Sequence, residues 1–264
     1  MLDPRPRRMN LLVVGQSHVA AVRAAAKTHR EAFPDEPRTR VIHTLEQVHA
    51  PEFENVIAGE NADARFGAKL RAAIEDQITR HQPRVASVLG GNVHNMLALV
   101  RHPRPFDFML SGEKGPPRDE GAELIPEGLV RATLLERLRP DFARLRALYE
   151  IAGPFIHVES PPPVRDGDYI SANAESWFRD LVGGEVVAAG IGLRWRMWRL
   201  SSRLLREAVE RLGGHFLAVP VETQDADGFL RLEYAADPTH GNQAYGEAVI
   251  RAIEDFRPER MRWT

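Results

Sequence analysis

The chain contains 264 residues, 43% of them hydrophobic and 27% charged, which is the composition of a globular protein with a sizeable core. Its formal net charge of -2 at pH 7 argues against a general nucleic-acid binder, and the absence of cysteine excludes disulfides, thiolate metal sites and a cysteine nucleophile. No apolar run approaches the ~20 residues of a membrane span or the ~7–15 residues of a signal-peptide core, so we expect a cytoplasmic protein without a membrane span.

The sequence predicts one domain preceded by a short tail. Residues 1–9, which include two prolines and three arginines, are expected to form the N-terminal tail. Residues 10–264 are expected to form the single domain. Within it, residues 102–128 are rich in proline, glycine and charge, so they predict an irregular insertion that could shape a pocket rather than a linker between domains.

The first predicted elements are an apolar strand at residues 10–14 and a helix that begins near Val19. Between them lies Gly15-Gln16-Ser17, so Ser17 stands at the helix N-terminus. Unpaired N–H groups and the helix dipole favour negative charge there, either a bound anion or an oxyanion formed during acyl transfer. Serine is also among the best N-cap residues, so a purely structural role for Ser17 remains an alternative.

The later elements alternate between strands and helices. Further strands are predicted at residues 40–45, 85–89, 155–159 and 216–221. Further helices are predicted at residues 62–81, 129–151, 193–212 and 242–256, and Pro140 favours an interruption in the second of these. Short apolar strands that alternate with helices predict an α/β fold, a three-layer α/β/α sandwich around a five-stranded parallel sheet.

The predicted helix at 193–212 holds Trp195 and Trp198 beside several arginines. We expect this helix to pack on the sheet with its arginines in solvent. A substrate pocket or a membrane-surface contact are the alternatives. The chain contains no Gly-x-Gly-x-x-Gly, P-loop or His-Glu-x-x-His pattern, so neither a nucleotide cofactor nor a metal is expected.

A second informative segment, Asp237-Pro238-Thr239-His240, lies between the last predicted strand and the last helix. In a tight turn, Asp237 can accept the Nδ1 proton of His240 and leave Nε2 free to act as a base. A serine hydroxyl needs such a base, because it is a weak nucleophile until its proton is removed. An ordinary polar turn with a helix cap explains the same residues and stays open as an alternative.

A third candidate is Asn92, which follows the third predicted strand and two glycines. Its amide could stabilise an oxyanion together with backbone N–H groups of Ser17 and of a glycine after the second strand, for which we choose Gly59 over Gly67. A simple turn asparagine is the alternative. Because Ser17, Gly59, Asn92 and His240 each follow a predicted strand, we expect them at one edge of the sheet.

These segments resemble the SGNH hydrolases, or GDSL esterases, whose signature is a serine, a glycine, an asparagine and a histidine in separate blocks. The matching segments are Gly15-Gln16-Ser17, Gly90-Gly91-Asn92 and Asp237-Pro238-Thr239-His240. The resemblance implies a flavodoxin-like fold in which Ser17 is the nucleophile, His240 the base and Asp237 the residue that orients the base. Gly59 and Asn92 would complete the oxyanion hole with the N–H of Ser17.

The sequence departs from the family pattern at two positions. Gln16 and Val93 stand where the family usually has aspartate. His18 after the serine is similar to SGNH domains that act on bacterial surface glycans, which implies small acyl groups such as acetyl on a carbohydrate-like alcohol. His18 and His94 are candidate substrate contacts, with a structural role as the alternative.

The sequence therefore predicts a serine-dependent esterase or O-acyltransferase that acts on a small-molecule or glycan ester and needs no cofactor. Its oligomeric state is left open. Two other hypotheses remain. A non-catalytic binding module on the same fold is suggested by the missing aspartates at Gln16 and Val93. A flavodoxin-like protein would instead bind phosphate at the helix start beside Ser17.

Overall fold

The structure is a computed structural model that describes residues 9–32, 40–46, 56–58 and 63–257. The predicted tail before Met9 and the predicted oxyanion residue Gly59 lie outside these residues. The strands are β1 (Met9–Gly15), β2 (Arg40–Glu46), β3 (Val56–Ala58), β4 (Asp63–Arg65), β5 (Arg84–Val88), β6 (Phe106–Asp107), β7 (Glu123–Leu124), β8 (Ile156–Val158) and β9 (His215–Leu217). The helices are α1 (Val19–Ala32), α2 (Ala68–His81), α3 (Val93–Ala98), α4 (Glu127–Ala152), α5 (Gly167–Asn173), α6 (Ser176–Val182), α7 (Ile191–Arg211) and α8 (Gln243–Asp255).

Five parallel strands form the central sheet in the order β2-β1-β5-β8-β9, which confirms the predicted fold class. After β1 the chain adds β2 on one side of it, and then β5, β8 and β9 on the other side. The direction of strand addition therefore reverses between the neighbouring strands β1 and β5. In open parallel sheets, ligands bind beyond the carboxyl ends of the strands at such a reversal. Ser17 follows β1 and Asn92 follows β5, so both candidates lie at this point.

Alternate residues of β1 build the cores on the two faces of the sheet. Leu12 and Val14 are fully buried with apolar residues of α2, α4 and α7. Leu11 and Val13 are fully buried on the other face with residues of α1 and α8. This alternation follows from the period of two along a strand and produces the three layers.

Helices α1 and α8 approach each other unusually closely at Gly246. A Cβ atom added to Gly246 would lie 2.1 Å from the carbonyl oxygen of Ala21, closer than any real contact. Glycine is therefore required for the helices to pack at this distance. The contact matters for the site, because Ser17 precedes α1 and His240 precedes α8.

We expect Gly246→Ala to destabilise the protein by about 1–3 kcal/mol, because the added methyl group forces the two helices apart. The free energy of unfolding in urea measures this loss. Gly128→Ala in the first turn of α4 is the matched control, since nothing lies within 4 Å of its added Cβ. An equal effect of both substitutions on stability would show that the α1–α8 contact is not tight.

Several element bounds differ from the sequence predictions. The second helix begins at Ala68 rather than at residue 62, because residues 63–65 instead pair with β3. Helix α4 continues through Pro140, since buried residues on both sides, such as Leu138 and Leu145, anchor it to the core. Strand β9 ends at Leu217, before Pro220, which has no N–H to extend the ladder. No helix in the described residues has the length and apolar character that crossing a bilayer requires.

The expectation that the arginines of α7 lie in solvent is wrong for Arg194 and Arg196, each of which is 4% exposed. Arg196 forms a two-pronged ion pair with buried Asp107, with Nε–Oδ1 and Nη2–Oδ2 distances of 3.0 and 2.5 Å. It also donates to the carbonyl of Pro116 at 2.7 Å. Residues of the 102–128 segment thus cover α7, and charge-assisted hydrogen bonds hold them there.

We expect Asp107→Ala to lower the free energy of unfolding by about 3–5 kcal/mol, because it leaves the buried charge of Arg196 without its partner. Glu123→Ala is the control: it removes the exposed ion pair with Arg104, whose loss should cost less than about 1 kcal/mol. Urea unfolding of both variants gives the comparison. Similar losses in the two would contradict the assigned importance of the buried pair.

Candidate active site

Ser17 lies in the turn that joins β1 to α1, and its side chain is exposed. The carbonyls of Gln16 and Ser17 accept hydrogen bonds from the N–H groups of Val19 and Ala20 at 2.9 and 3.0 Å. These bonds start the helix directly after the serine. Among the described residues, the Ser17 hydroxyl is hydrogen-bonded to His240 and not to a backbone N–H group of α1. It therefore does not act as the N-cap of the helix.

Ser17, His240 and Asp237 form a continuous hydrogen-bonded chain. The Ser17 Oγ lies 2.8 Å from the His240 Nε2, although the two residues are 223 positions apart in sequence. The His240 Nδ1 lies 2.8 Å from Asp237 Oδ2 and 3.1 Å from Oδ1. With the Nδ1 proton held by the carboxylate, Nε2 is free to accept the serine proton.

The turn around Asp237 fixes this carboxylate before any substrate arrives. Its Oδ1 accepts the backbone N–H groups of Thr239 and His240 at 2.7 and 2.9 Å, and the Thr239 hydroxyl at 2.9 Å. Burial alone would raise the pKa of Asp237, but the hydrogen bonds from His240 and Thr239 lower it to about 2. The carboxylate is therefore ionised at neutral pH and can stabilise a positive imidazole.

A second carboxylate, Glu175, lies beside the same imidazole, with its Oε1 3.9 Å from the His240 Nδ1. Burial lowers the pKa of His240, but the Asp237 hydrogen bond and the charges of Asp237 and Glu175 outweigh it and raise the pKa above its ordinary value. Ligand atoms of these three residues lie within 4.8 Å of one another, a spacing that could also hold a metal ion. In the hydrogen-bonded arrangement, however, the Nδ1 lone pair is not available for one.

The side-chain amide nitrogen of Asn92 faces the imidazole of His240. Its Oδ1 accepts a hydrogen bond from the Asn95 side chain at 2.8 Å, so the NH₂ group faces His240, with Nδ2 3.3 Å from Nε2. This orientation suits a donor to a developing oxyanion. The other proposed donors are the N–H of Ser17 and that of Gly59, which is not described; Gly67, the alternative, immediately precedes α2.

Gln16, one of the two departures from the family pattern, links the loops that carry Ser17 and Asn92. Its Oε1 accepts the backbone N–H of Gly90 at 3.2 Å. A carboxamide oxygen can accept this hydrogen bond just as a carboxylate would. The loop after β1 is thus tied to the loop after β5 without an aspartate.

His18, next to Ser17 in sequence, and His94, two residues after Asn92, are buried, with exposures of 8% and 2%. The pKa of each is lowered to about 3, for His94 by burial and for His18 mainly by burial, with a smaller contribution from the nearby His240 and His94. The His18 ring packs 5.0 Å from that of His240 and lies so close to Gly91 that a Cβ there would be 2.4 Å away. Both rings are neutral, and direct contact with a substrate stays a prediction for both.

Sequence reasoning missed Glu175. Glu175 immediately precedes α6, and Trp177 Nε1 donates to its Oε2 at 2.9 Å, but the segment shows no clear periodicity. Nothing in the sequence connects position 175 with position 240. The relation depends on the path of the chain after β8.

No protein-family model matches the sequence, and no curated protein matches it. Among solved structures, the periplasmic domain of a lipopolysaccharide acetyltransferase from Salmonella ser. Paratyphi A is 12% identical, with 95% of this chain and 84% of that chain covered and a TM-score of 0.47. A proposed acylhydrolase from Bacteroides fragilis is 9% identical, with 96% and 88% covered and a TM-score of 0.44. A GDSL-like lipase from Bacteroides thetaiotaomicron is 10% identical, with 96% and 90% covered and a TM-score of 0.41.

The chain resembles the SGNH hydrolases in its motifs and in the order of its sheet. The likenesses to the three solved structures, at TM-scores below 0.5, say nothing about the family, the reaction or the substrate. We therefore infer the function from the distances among Ser17, His240 and Asp237.

We expect Glu175→Gln to lower the pKa of His240, because it removes a negative charge that favours the protonated ring. Titration of the histidine ring signals by NMR measures this change. Glu210→Gln is the control, since Glu210 is exposed near the end of α7. It lies at the amino ends of the strands, whereas the candidate site lies at their carboxyl ends. An unchanged pKa of His240 in Glu175→Gln would show that the second carboxylate does not act on the ring.

Proposed function

We propose that the protein is a serine-dependent esterase or O-acyltransferase of the SGNH type, acting on small acyl groups such as acetyl. The observation that carries this proposal is the 2.8 Å hydrogen bond between Ser17 Oγ and His240 Nε2, with Asp237 on the opposite nitrogen of the ring. A nucleophile, a base and a group that orients the base are thus within reach of one another.

In the proposed reaction, Ser17 Oγ attacks the ester carbonyl while His240 Nε2 removes the hydroxyl proton. Asp237 stabilises the resulting imidazolium, and the same proton then passes to the oxygen of the leaving alcohol. The Asn92 amide and the N–H of Ser17 stabilise the tetrahedral oxyanion; loss of one such donor typically costs about 10²–10³ in kcat. Water or a second alcohol then attacks the acyl-serine by the reverse sequence of proton transfers.

We expect the substrate to approach the exposed Ser17 from solvent, since the His18 ring, which packs 5.0 Å from that of His240, is buried, as is His94. Neutral histidines there add no positive charge that would oppose formation of the imidazolium at His240. The choice of acetyl-sized groups and of a carbohydrate-like alcohol rests on the sequence resemblance, in particular on His18 after the serine.

The two other hypotheses explain less of the site. A binding module was suggested by the missing aspartates at positions 16 and 93, but at position 16 the Gln16 side chain supplies the hydrogen-bond acceptor that joins the two loops. A phosphate site at the start of α1 gives no reason for the serine hydroxyl to bond a histidine whose other nitrogen is held by a carboxylate. The esterase proposal accounts for both bonds.

We expect Ser17→Ala and His240→Ala each to reduce the hydrolysis of 4-nitrophenyl acetate by a factor on the order of 10⁴ or more, because nucleophile and base act as one unit. Release of 4-nitrophenolate is measured for the wild type and the variants. Ser176→Ala is the control, since this exposed serine directly follows Glu175 but makes no hydrogen bond with His240. Equal rates in all four proteins would instead favour the binding module.

A further inference from the structure

A groove beside the candidate active site has the size of a ligand pocket. This α3–α6 groove has a volume of about 610 Å³ and is bordered by α3, the segment that follows it, α6 and Arg137 of α4. Ligand pockets typically measure about 300–1,000 Å³. Met96 and Trp177 border it with exposures of 52% and 37%. Large apolar side chains that stay exposed side by side commonly mark a binding surface.

The charge at the groove is positive. Arg101, His102 and Arg137 border it, and none of its bordering residues is acidic. Both arginines are exposed, and among the described residues no carboxylate pairs with either guanidinium. The arginines of α7 differ, since Arg199 and Arg203 both pair with Glu113. Unpaired guanidinium groups at the border of an apolar groove suit a phosphate or carboxylate attached to an apolar chain.

Two connections join the groove to the candidate active site. Val93, which borders the groove, directly follows the oxyanion donor Asn92. On the other side, Trp177 donates to Glu175, whose carboxylate lies 3.9 Å from the His240 Nδ1. A molecule in the groove would therefore lie beside the groups that act on the ester.

We infer that the α3–α6 groove binds the alcohol part of the substrate, and that this part carries, besides the carbohydrate-like group implied by the resemblance, an apolar chain and an anionic group, phosphate or carboxylate. The inference rests on the proposed function, in which the acyl group is small and needs no cavity of this size. Val93, Met96 and Trp177 contact the chain, and Arg101 and Arg137 bind the anion. Arg101 and Arg137 are thus specificity-determining residues rather than catalytic ones.

Calorimetric titration of Ser17→Ala with octyl phosphate below its micellar concentration tests the groove without any turnover. We expect octyl phosphate to bind roughly tenfold or more tightly than octyl glucoside, which lacks the charge, and than inorganic phosphate, which lacks the chain. Octanoate in place of octyl phosphate shows whether carboxylate or phosphate is preferred. Met96→Gln should weaken the binding of both octyl phosphate and octyl glucoside.

The double substitution Arg101→Gln and Arg137→Gln should remove the preference for octyl phosphate over octyl glucoside. Arg139→Gln is the matched control, since Arg139 is exposed on the same helix but pairs with Glu136 and does not border the groove. Equal binding of octyl phosphate to the double variant and the control, or no binding at all, would overturn the inference.

In the wild type, octyl phosphate should inhibit hydrolysis of 4-nitrophenyl acetate competitively. Binding without competition would overturn the assignment of the groove to the substrate. Failure of the proposed function is distinguishable from both results, because octyl phosphate would then bind to a protein with no hydrolysis to inhibit.

Discussion

The candidate site depends on how closely α1 and α8 pack. The carbonyl of Ala21 on α1 lies where a side chain on Gly246 of α8 would have to be. Because one helix begins just after Ser17 and the other just after His240, this contact between two helices sets the distance between a hydroxyl and an imidazole that lie 223 residues apart. The chain has no cysteine and so no disulfide, and the geometry of the site therefore depends on this packing together with the hydrogen bonds of the Gln16 and Asp237 loops.

The charges of the neighbouring side chains determine how readily the imidazole of His240 takes up a proton. Two carboxylates, of Asp237 and Glu175, lie on its Nδ1 side, while His18, which packs 5.0 Å away, stays neutral because it is buried. The protonated form of His240 is therefore favoured by attraction and is not opposed by repulsion. An imidazole that can take up a proton in this way is suited to serve first as a base and then as an acid.

Much of the fold follows from local sequence patterns, and the rest depends on distant partners. Apolar runs and turn residues predict the alternation of strands and helices, and hence that segments after parallel strands share one edge, which brings Ser17 and His240 together. The burial of Arg196 could not be predicted, because its partner Asp107 lies 89 positions away in an irregular segment. The position of Glu175 beside His240 could not be predicted either, because the two residues are far apart in sequence. Gly59 stays a prediction, since it lies outside the described residues.

The hydrogen bond from Gly90 to the side chain of Gln16 has a consequence for behaviour in acid. A carboxamide has no proton to gain over the physiological range, so the link between the two loops holds the same charge at every pH that a cell meets. An aspartate in the same position would lose acceptor capacity once protonated. This link is thus insensitive to acidity, and any acid dependence of the site is left to the carboxyl groups of Asp237 and Glu175 and to the imidazole of His240.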